Sequence, residues 1–387
     1  MNASPADLLK RIIIIVCLMA FISPSLIAQE SSILEEDAAI KNLLEIAIEE
    51  AGAEGIAIPG MVAAIRVHDQ PVRIAAMGVR KVDDEAPITL HDQMHLGSCT
   101  KAMTAALVGR LIDQEKLTME MTIGELLPEI ASEIHEDYSA VTLRQLLEHQ
   151  SGLPDTMMWW LQEGDTITET RRLIVIKALA DKPEHEPGTN FEYANLNYAV
   201  VGLMCGAVTG QPWEELMQQE IFDPLGLASA GFGHPGETNE VEQPWGHNVI
   251  GRDGELRASQ IDNAPTLGPA GTVHMSLSDW STFLLEMTDH APAGLLSEET
   301  RAMLTTPSSV DAEVPAACGW FVTQRGWADG KAIWHNGSNT RWFALTWVST
   351  SKGHAYMVVI NAMSPGMPQL ADELISKLIG IQAEADR

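Results

Sequence analysis

Ser98 and Lys101 stand three positions apart, the spacing that brings two side chains onto one face of a helix. A lysine amine within reach of a serine hydroxyl can take its proton and so make it a nucleophile without a histidine. The same spacing recurs at Ser349 and Lys352, so the surroundings must separate the two pairs. Ser98 follows Gly97 and precedes Lys101 to Ile112, whose apolar residues recur at helical spacing. That predicts a helix start, where unpaired N–H groups and the positive dipole end favour an oxyanion. A serine in this place is also an ordinary helix cap. Ser349 instead lies between the β-rich runs Trp342 to Val348 and Ala355 to Ile360, and Lys352-Gly353 reads as a hairpin turn.

Two further clusters carry polar groups suited to the same chemistry. Tyr193 and Asn195 follow the Pro187-Gly188 turn and lead into an apolar helix from Ala199 to Val208, a place from which side chains can project into a cleft. Turn and capping chemistry would account for them equally well. His335, Gly337 and Ser338 close a strand, where the glycine would let a substrate backbone approach and the strand edge would hold a substrate amide.

These clusters need a scaffold, and the patterning supplies one. Met61 to Val67 and Val72 to Gly78 read as a hairpin after a helix from about Ile33 to Ala51. From Lys101 to about Met287 the periodicity is mainly helical, broken by Pro and Gly loops. β patterning returns from Cys318 to Ile360, and a last helix runs from about Gln369 to Leu378. The economical arrangement is an α+β fold: one antiparallel sheet built from both chain ends, helices packed on it, and an inserted helical lobe.

Composition excludes some partners. Acidic residues outnumber basic ones by 53 to 24 and no basic cluster offsets them, which disfavours nucleic acid and anionic membranes. Lys10-Arg11 ahead of the apolar run Ile12 to Ile22 has the form of an export signal ending near Ala28, with an uncleaved anchor as the alternative. The remainder keeps Cys99, Cys205 and Cys318, an odd number that allows at most one intramolecular disulfide. The histidines show no metal-ligand spacing, so no metal or other cofactor is expected. No Gly-x-Ser-x-Gly elbow of an α/β-hydrolase occurs either.

With Ser98-x-x-Lys101, Tyr193-x-Asn195 and His335-x-Gly337 in this order, the sequence resembles the serine β-lactamase and penicillin-binding-protein superfamily. It is most similar to the branch of class C β-lactamases, D-alanyl-D-alanine carboxypeptidases and family VIII esterases. His149-Gln150-Ser151-Gly152-Leu153, Pro224-Leu225-Gly226-Leu227 and Pro269-Ala270-Gly271-Thr272 match further landmarks of that branch. The resemblance implies a β-lactamase/transpeptidase-like fold over residues 29–387 after a 1–28 signal peptide. Residues 29–97 and 300–387 would form an α/β lobe and 98–299 a mainly helical one.

The resemblance also implies roles. Ser98 would form an acyl-enzyme while Lys101 and Tyr193 handle its proton, either of them being the base. Asn195 would hold the substrate amide or orient Lys101, and the backbone N–H groups of Ser98 and Ser338 would form the oxyanion hole beside Gly337. His335 would take the electrostatic place of a lysine, toward a substrate carboxylate or Tyr193. Arg341, Trp342 and the stretch Met157 to Trp160 are candidate cleft walls, or simply packing and solvated residues. The expectation is a secreted, periplasmic serine hydrolase opening amides of D-Ala-D-Ala-type peptides or β-lactams. The alternatives are a carboxylesterase and a non-catalytic peptidoglycan-binding module.

Overall fold

Asp37 starts the first helix by capping it: its carboxylate accepts the Ala39 and Ile40 N–H groups, both at 3.0 Å, and is itself gripped by Arg73 Nε at 2.7 Å. The helix, α1 (Ala38–Ala53), buries the stripe Ile40, Leu43, Leu44, Ala47 and Ala51. That three-and-four spacing is what a helix lying on a sheet requires. The computed structural model describes residues 34–155, 164–250, 255–308 and 315–387. The expected signal, residues 1–28, and the stretch Met157 to Trp160 lie outside them.

The sheet beneath α1 has seven strands, drawn from both ends of the sequence. In chain order they are β1 (Gly60–Val67), β2 (Arg73–Gly78), β3 (Ala316–Ala317), β4 (Trp320–Arg325), β5 (Gly330–Gly337), β6 (Phe343–Ser349) and β7 (His354–Ile360). Their spatial order is β2-β1-β7-β6-β5-β4-β3, with antiparallel pairing throughout. The pairing of β1 with β7, Met61 opposite Ile360 and Val67 opposite His354, joins the two ends of the chain. Met61, Ala63 and Ile65 share one core with α1 and with Leu374 and Leu378 of the last helix. The alternate residues Val62 and Ala64 are buried as well. Both faces of β1 are therefore covered, and it reads as a continuous apolar run.

The intervening sequence supplies α2 (Thr100–Asp113), α3 (Ile167–Leu179), α4 (Asn195–Thr209) and α5 (Leu277–Glu286), and α6 (Met367–Ala385) closes the chain. Almost every residue of α2 is buried, so it is a core helix with Ser98 at its start. Two findings refine the expected helical middle. Short strands interrupt it: Gly231–Phe232 and Val273–Met275 join Met94–His95, while Gly246–Ile250 and Glu255–Ser259 join Ala362–Met363. Strands of two to five residues are too short to leave a periodicity in the sequence. Helix α5 falls within 98–299 but packs on β1 and β7.

Candidate active site

Ser98 lies in a tight turn that only glycines permit. Residues Gly97–Cys99 form one 3-10 turn that runs straight into α2, with Cys99 N–H donating to Leu96 O at 3.2 Å. Gly97 sits at φ +52°, and a Cβ there would lie 2.7 Å from the Gly337 carbonyl carbon. A Cβ on Gly337 would lie 2.6 Å from Ser98 N. One close approach at Gly337 is thus made by the protein's own backbone, and Gly337 also lines the pocket at Ser98. Behind the turn, His95 Nδ1 accepts the Gly97 N–H at 3.1 Å and its Nε2 lies 2.8 Å from Asp262. The same carboxylate accepts Asn339 Nδ2 at 2.8 Å. Burial pushes Asp262 up, but His95 and Asn339 outweigh it and hold the carboxyl below its usual range. The chain thereby locks the Ser98 turn to the segment after β5.

Lys101 is fully buried. Its Nζ donates to Ala270 O at 2.7 Å and Asn195 Oδ1 at 2.8 Å, and stands 3.2 Å from Ser98 Oγ. Desolvation lowers its pKa from 10.5 to about 7, against the opposing pull of the Asp155 carboxylate. Asp155 Oδ1 accepts the Asn195 backbone N–H at 3.3 Å, at the first turn of α4. Ala270 lies in the short helical turn Gly268–Gly271, and the turn before it, Pro265–Leu267, is held by Arg171, whose guanidinium donates to Thr266 O at 2.8 Å and Pro265 O at 3.1 Å and pairs with Glu214 at 2.5 Å.

Tyr193 places its ring 4.9 Å from Lys101 Nζ and stacks on His149, centroids 4.5 Å apart. Burial raises its hydroxyl pKa, while the Ser98 hydroxyl opposes the rise. His149, at φ +57°, accepts the Ala194 N–H on Nδ1 at 3.2 Å, and the Asn197 amide is 3.2 Å from the same nitrogen. Asn197 is pinned in turn by Ser151. Sequence reasoning read the His149–Leu153 stretch only as a landmark; nothing local announces that it braces Tyr193. Among the described residues, neither the Ser98 nor the Ser338 backbone N–H has a protein acceptor.

His335 lies near the end of β5. It is 3% exposed, and burial followed by the Lys101 charge lowers its pKa to about 3. Its Nδ1 faces the Asn336 carbonyl at 2.5 Å. A neutral imidazole attracts a substrate carboxylate less strongly than a lysine would. Arg341 is also engaged, donating to Ser259 Oγ at 2.7 Å and Thr340 Oγ1 at 3.0 Å. Trp342 is buried, so it packs. β5 is flanked by β4 only as far as Trp334, so its final residues do present an edge.

A pocket of about 470 Å³ opens at Ser98, with Asn336 and Ser338 on its polar side and Phe191, Tyr193, Phe321, Phe343, Met363 and Pro368 around it. A larger hollow of about 850 Å³ beside Lys182–Pro187 is lined by no serine or cysteine. The competing pair is structural: Ser349 is buried and donates to Ala328 O at 3.0 Å, and Lys352 Nζ reaches Trp327 O at 3.3 Å. Cys99, Cys205 and Cys318 are free and buried, and desolvation raises all three thiols. Among the described residues, metal-like spacing occurs at Glu184, His185 and Glu192, two of them exposed and His185 already 3.2 Å from Glu192.

The profile of the family described as Beta-lactamase matches residues 46–379. "Penicillin-binding protein 4" of Amycolatopsis lactamdurans is 26% identical over 341 residues, covering 84% of this chain and 87% of that protein. "Protein flp" of Staphylococcus aureus (strain MW2) is 23% identical over 312 residues, 78% of this chain but only 59% of that one. Among solved structures, that of SurE superposes with a TM-score of 0.73 at 24% identity, over 88% of this chain and 74% of that one. The D-amino acid amidase from Ochrobactrum anthropi SV3 gives 0.71 at 19% identity, over 89% and 98%. At such identities the superpositions speak for the fold, which is β-lactamase/transpeptidase-like as the sequence predicts. Because the family profile spans most of its length, the chain belongs to the Beta-lactamase family.

Proposed function

We propose that the protein is a serine hydrolase that opens amide bonds through an acyl-enzyme on Ser98. The observation that carries this is the setting of Lys101 Nζ. Two short hydrogen bonds, to Ala270 O and Asn195 Oδ1, occupy two N–H groups, and the remaining direction faces Ser98 Oγ. A lysine with a pKa of about 7 is a free amine for much of its time at neutral pH, so its lone pair can take the serine proton.

The reaction then runs through residues already in place. Ser98 Oγ adds to the carbonyl carbon as its proton passes to Lys101. The negative oxygen is received by the unengaged N–H groups of Ser98 and Ser338. Tyr193, whose hydroxyl is influenced by that of Ser98, relays the proton to the departing amine as the carbon–nitrogen bond breaks. Its hydroxyl stays protonated at neutral pH, so Lys101 is the base and Tyr193 the relay. Water then adds to the ester as Lys101 takes its proton, and the Ser98–acyl bond breaks as Lys101 returns that proton to Ser98 Oγ, releasing the acid. Asn195 positions Lys101 through its Oδ1, and its Nδ2 lies 3.5 Å from Asp155 Oδ1.

Amides are the favoured donors because the similar proteins include an amidase and a penicillin-binding protein. An ester substrate is the second reading, favoured by the apolar pocket wall. Export is part of the proposal and rests on Lys10-Arg11 and the apolar run after them. Among the described residues, no helix is long and apolar enough to cross a membrane. Intact-mass measurement after reaction with a neutral p-nitrophenyl ester should show one acyl group on the wild type and none on Ser98→Ala. Undiminished hydrolysis by Ser98→Ala would place the nucleophile elsewhere.

A further inference from the structure

The charges around Ser98 carry information about what enters. The apolar wall of the pocket comprises Phe191, Phe321, Phe343, Met363 and Pro368, and no lysine or arginine lines it among the described residues. Its aromatic face is pre-stacked: Phe191 meets Phe321 edge-on at 6.2 Å, and Phe321 lies flat on Trp334 at 4.8 Å. Two cations near the site are committed, while the exposed Arg257 lies close enough to Arg341 to act on it. Lys101 is sealed beneath Ser98, and Arg341 is held by Ser259 and Thr340. His335, at the position where a lysine would supply charge, is a buried neutral imidazole. Asp155 adds an exposed carboxylate against Asn195, and the whole chain carries a formal charge of −29.

We propose that this pocket selects uncharged acyl donors bearing an apolar, aromatic-sized group, and discriminates against donors with a carboxylate beside the scissile bond. The inference rests on the Ser98 acyl-enzyme and narrows its substrate. A carboxylate entering here loses its water without gaining an ionic partner, whereas an apolar group gains contact with the phenylalanines. The volume of about 470 Å³ fits a small-molecule ligand. Peptide amides and esters meet these terms; peptides with a free C-terminal carboxylate do not. Sequence segments 156–163 and 309–314 contain no lysine or arginine, and 251–254 contains only Arg252.

The test compares matched donors on the full chain at low ionic strength: p-nitrophenyl valerate against p-nitrophenyl hemiglutarate, and an N-acetyl-D-phenylalanyl-D-alanine dipeptide against its C-terminal amide. The neutral member of each pair should show kcat/KM at least about tenfold higher, with the gap narrowing as salt is added. Phe191→Lys, which places an ammonium in a half-buried wall position, should raise turnover of the hemiglutarate relative to the valerate. Equal or faster turnover of the carboxylate members overturns the inference, whether or not Arg252→Ala removes it, and leaves Ser98 chemistry standing. Hydrolysis of both members that persists in Ser98→Ala, or fails to exceed that variant's rate in the wild type, removes the proposed function itself.

Discussion

Replacing Asp155 with asparagine should shift the acid limb of the pH–rate profile to lower pH. Lys101 is fully buried, and its fall from 10.5 to about 7 is worth on the order of 5 kcal/mol against the ammonium form. As a base it works only when deprotonated, so kcat/KM should rise about tenfold per pH unit below about 7 and level off above it. The Asp155 carboxylate favours the ammonium, so its removal lowers the midpoint and leaves the variant with the larger fraction of its maximum rate at acid pH. The nearby histidines cannot produce this limb: burial holds His149 well below 6.5 and His335 at about 3. Lys101→Arg, whose guanidinium stays protonated, should lose about 100-fold or more. The assay is hydrolysis of a neutral p-nitrophenyl ester from roughly pH 5 to 9, corrected for spontaneous loss. A flat profile, a midpoint that ignores Asp155→Asn, or an active Lys101→Arg would refute the assignment of Lys101 as base. Stability follows the same linkage. Between about 7 and 10.5 the unfolded chain binds a proton that the folded one does not, so this site's contribution to folding free energy improves as pH rises through that window.

Gly337→Ala should cost about 2–3 kcal/mol of stability and most activity, because its methyl group would press on the Ser98 backbone; urea unfolding and ester hydrolysis measure the two. Wild-type-like values for both would mean that the turn is not held as tightly as Gly97 and Gly337 imply. Arg171→Met removes the guanidinium from Thr266 O, Pro265 O and Glu214, leaving buried acceptors unpaired at a cost on the order of 3 kcal/mol. Because the next turn presents Ala270 O to Lys101, kcat should fall as well, with a displaced acid limb that a purely global loss of stability would not produce.

The sequence alone determined which segments build the sheet and the spacing of the Ser98 pair. Apolar runs at Met61–Val67, Phe343–Val348 and Ala355–Ile360 are fixed as strands by their composition, and three-position spacing brings Lys101 to Ser98 because a helix starts there, as none does at Ser349 and Lys352. Other properties depend on groups far apart in the chain. Lys101 owes its lowered pKa to complete burial, with Ala270 and Asn195 as its partners, and no short motif encodes a solvent-excluded volume. The requirement for glycine at positions 97 and 337 exists only because two backbones meet there, and the bracing of Tyr193 by His149 spans more than forty residues of chain. His335 shows the division most sharply. Its residue type was legible, but whether it carries charge toward a substrate was decided by the packing that removes it from water, since desolvation rather than sequence neighbours sets the proton affinity of a buried imidazole.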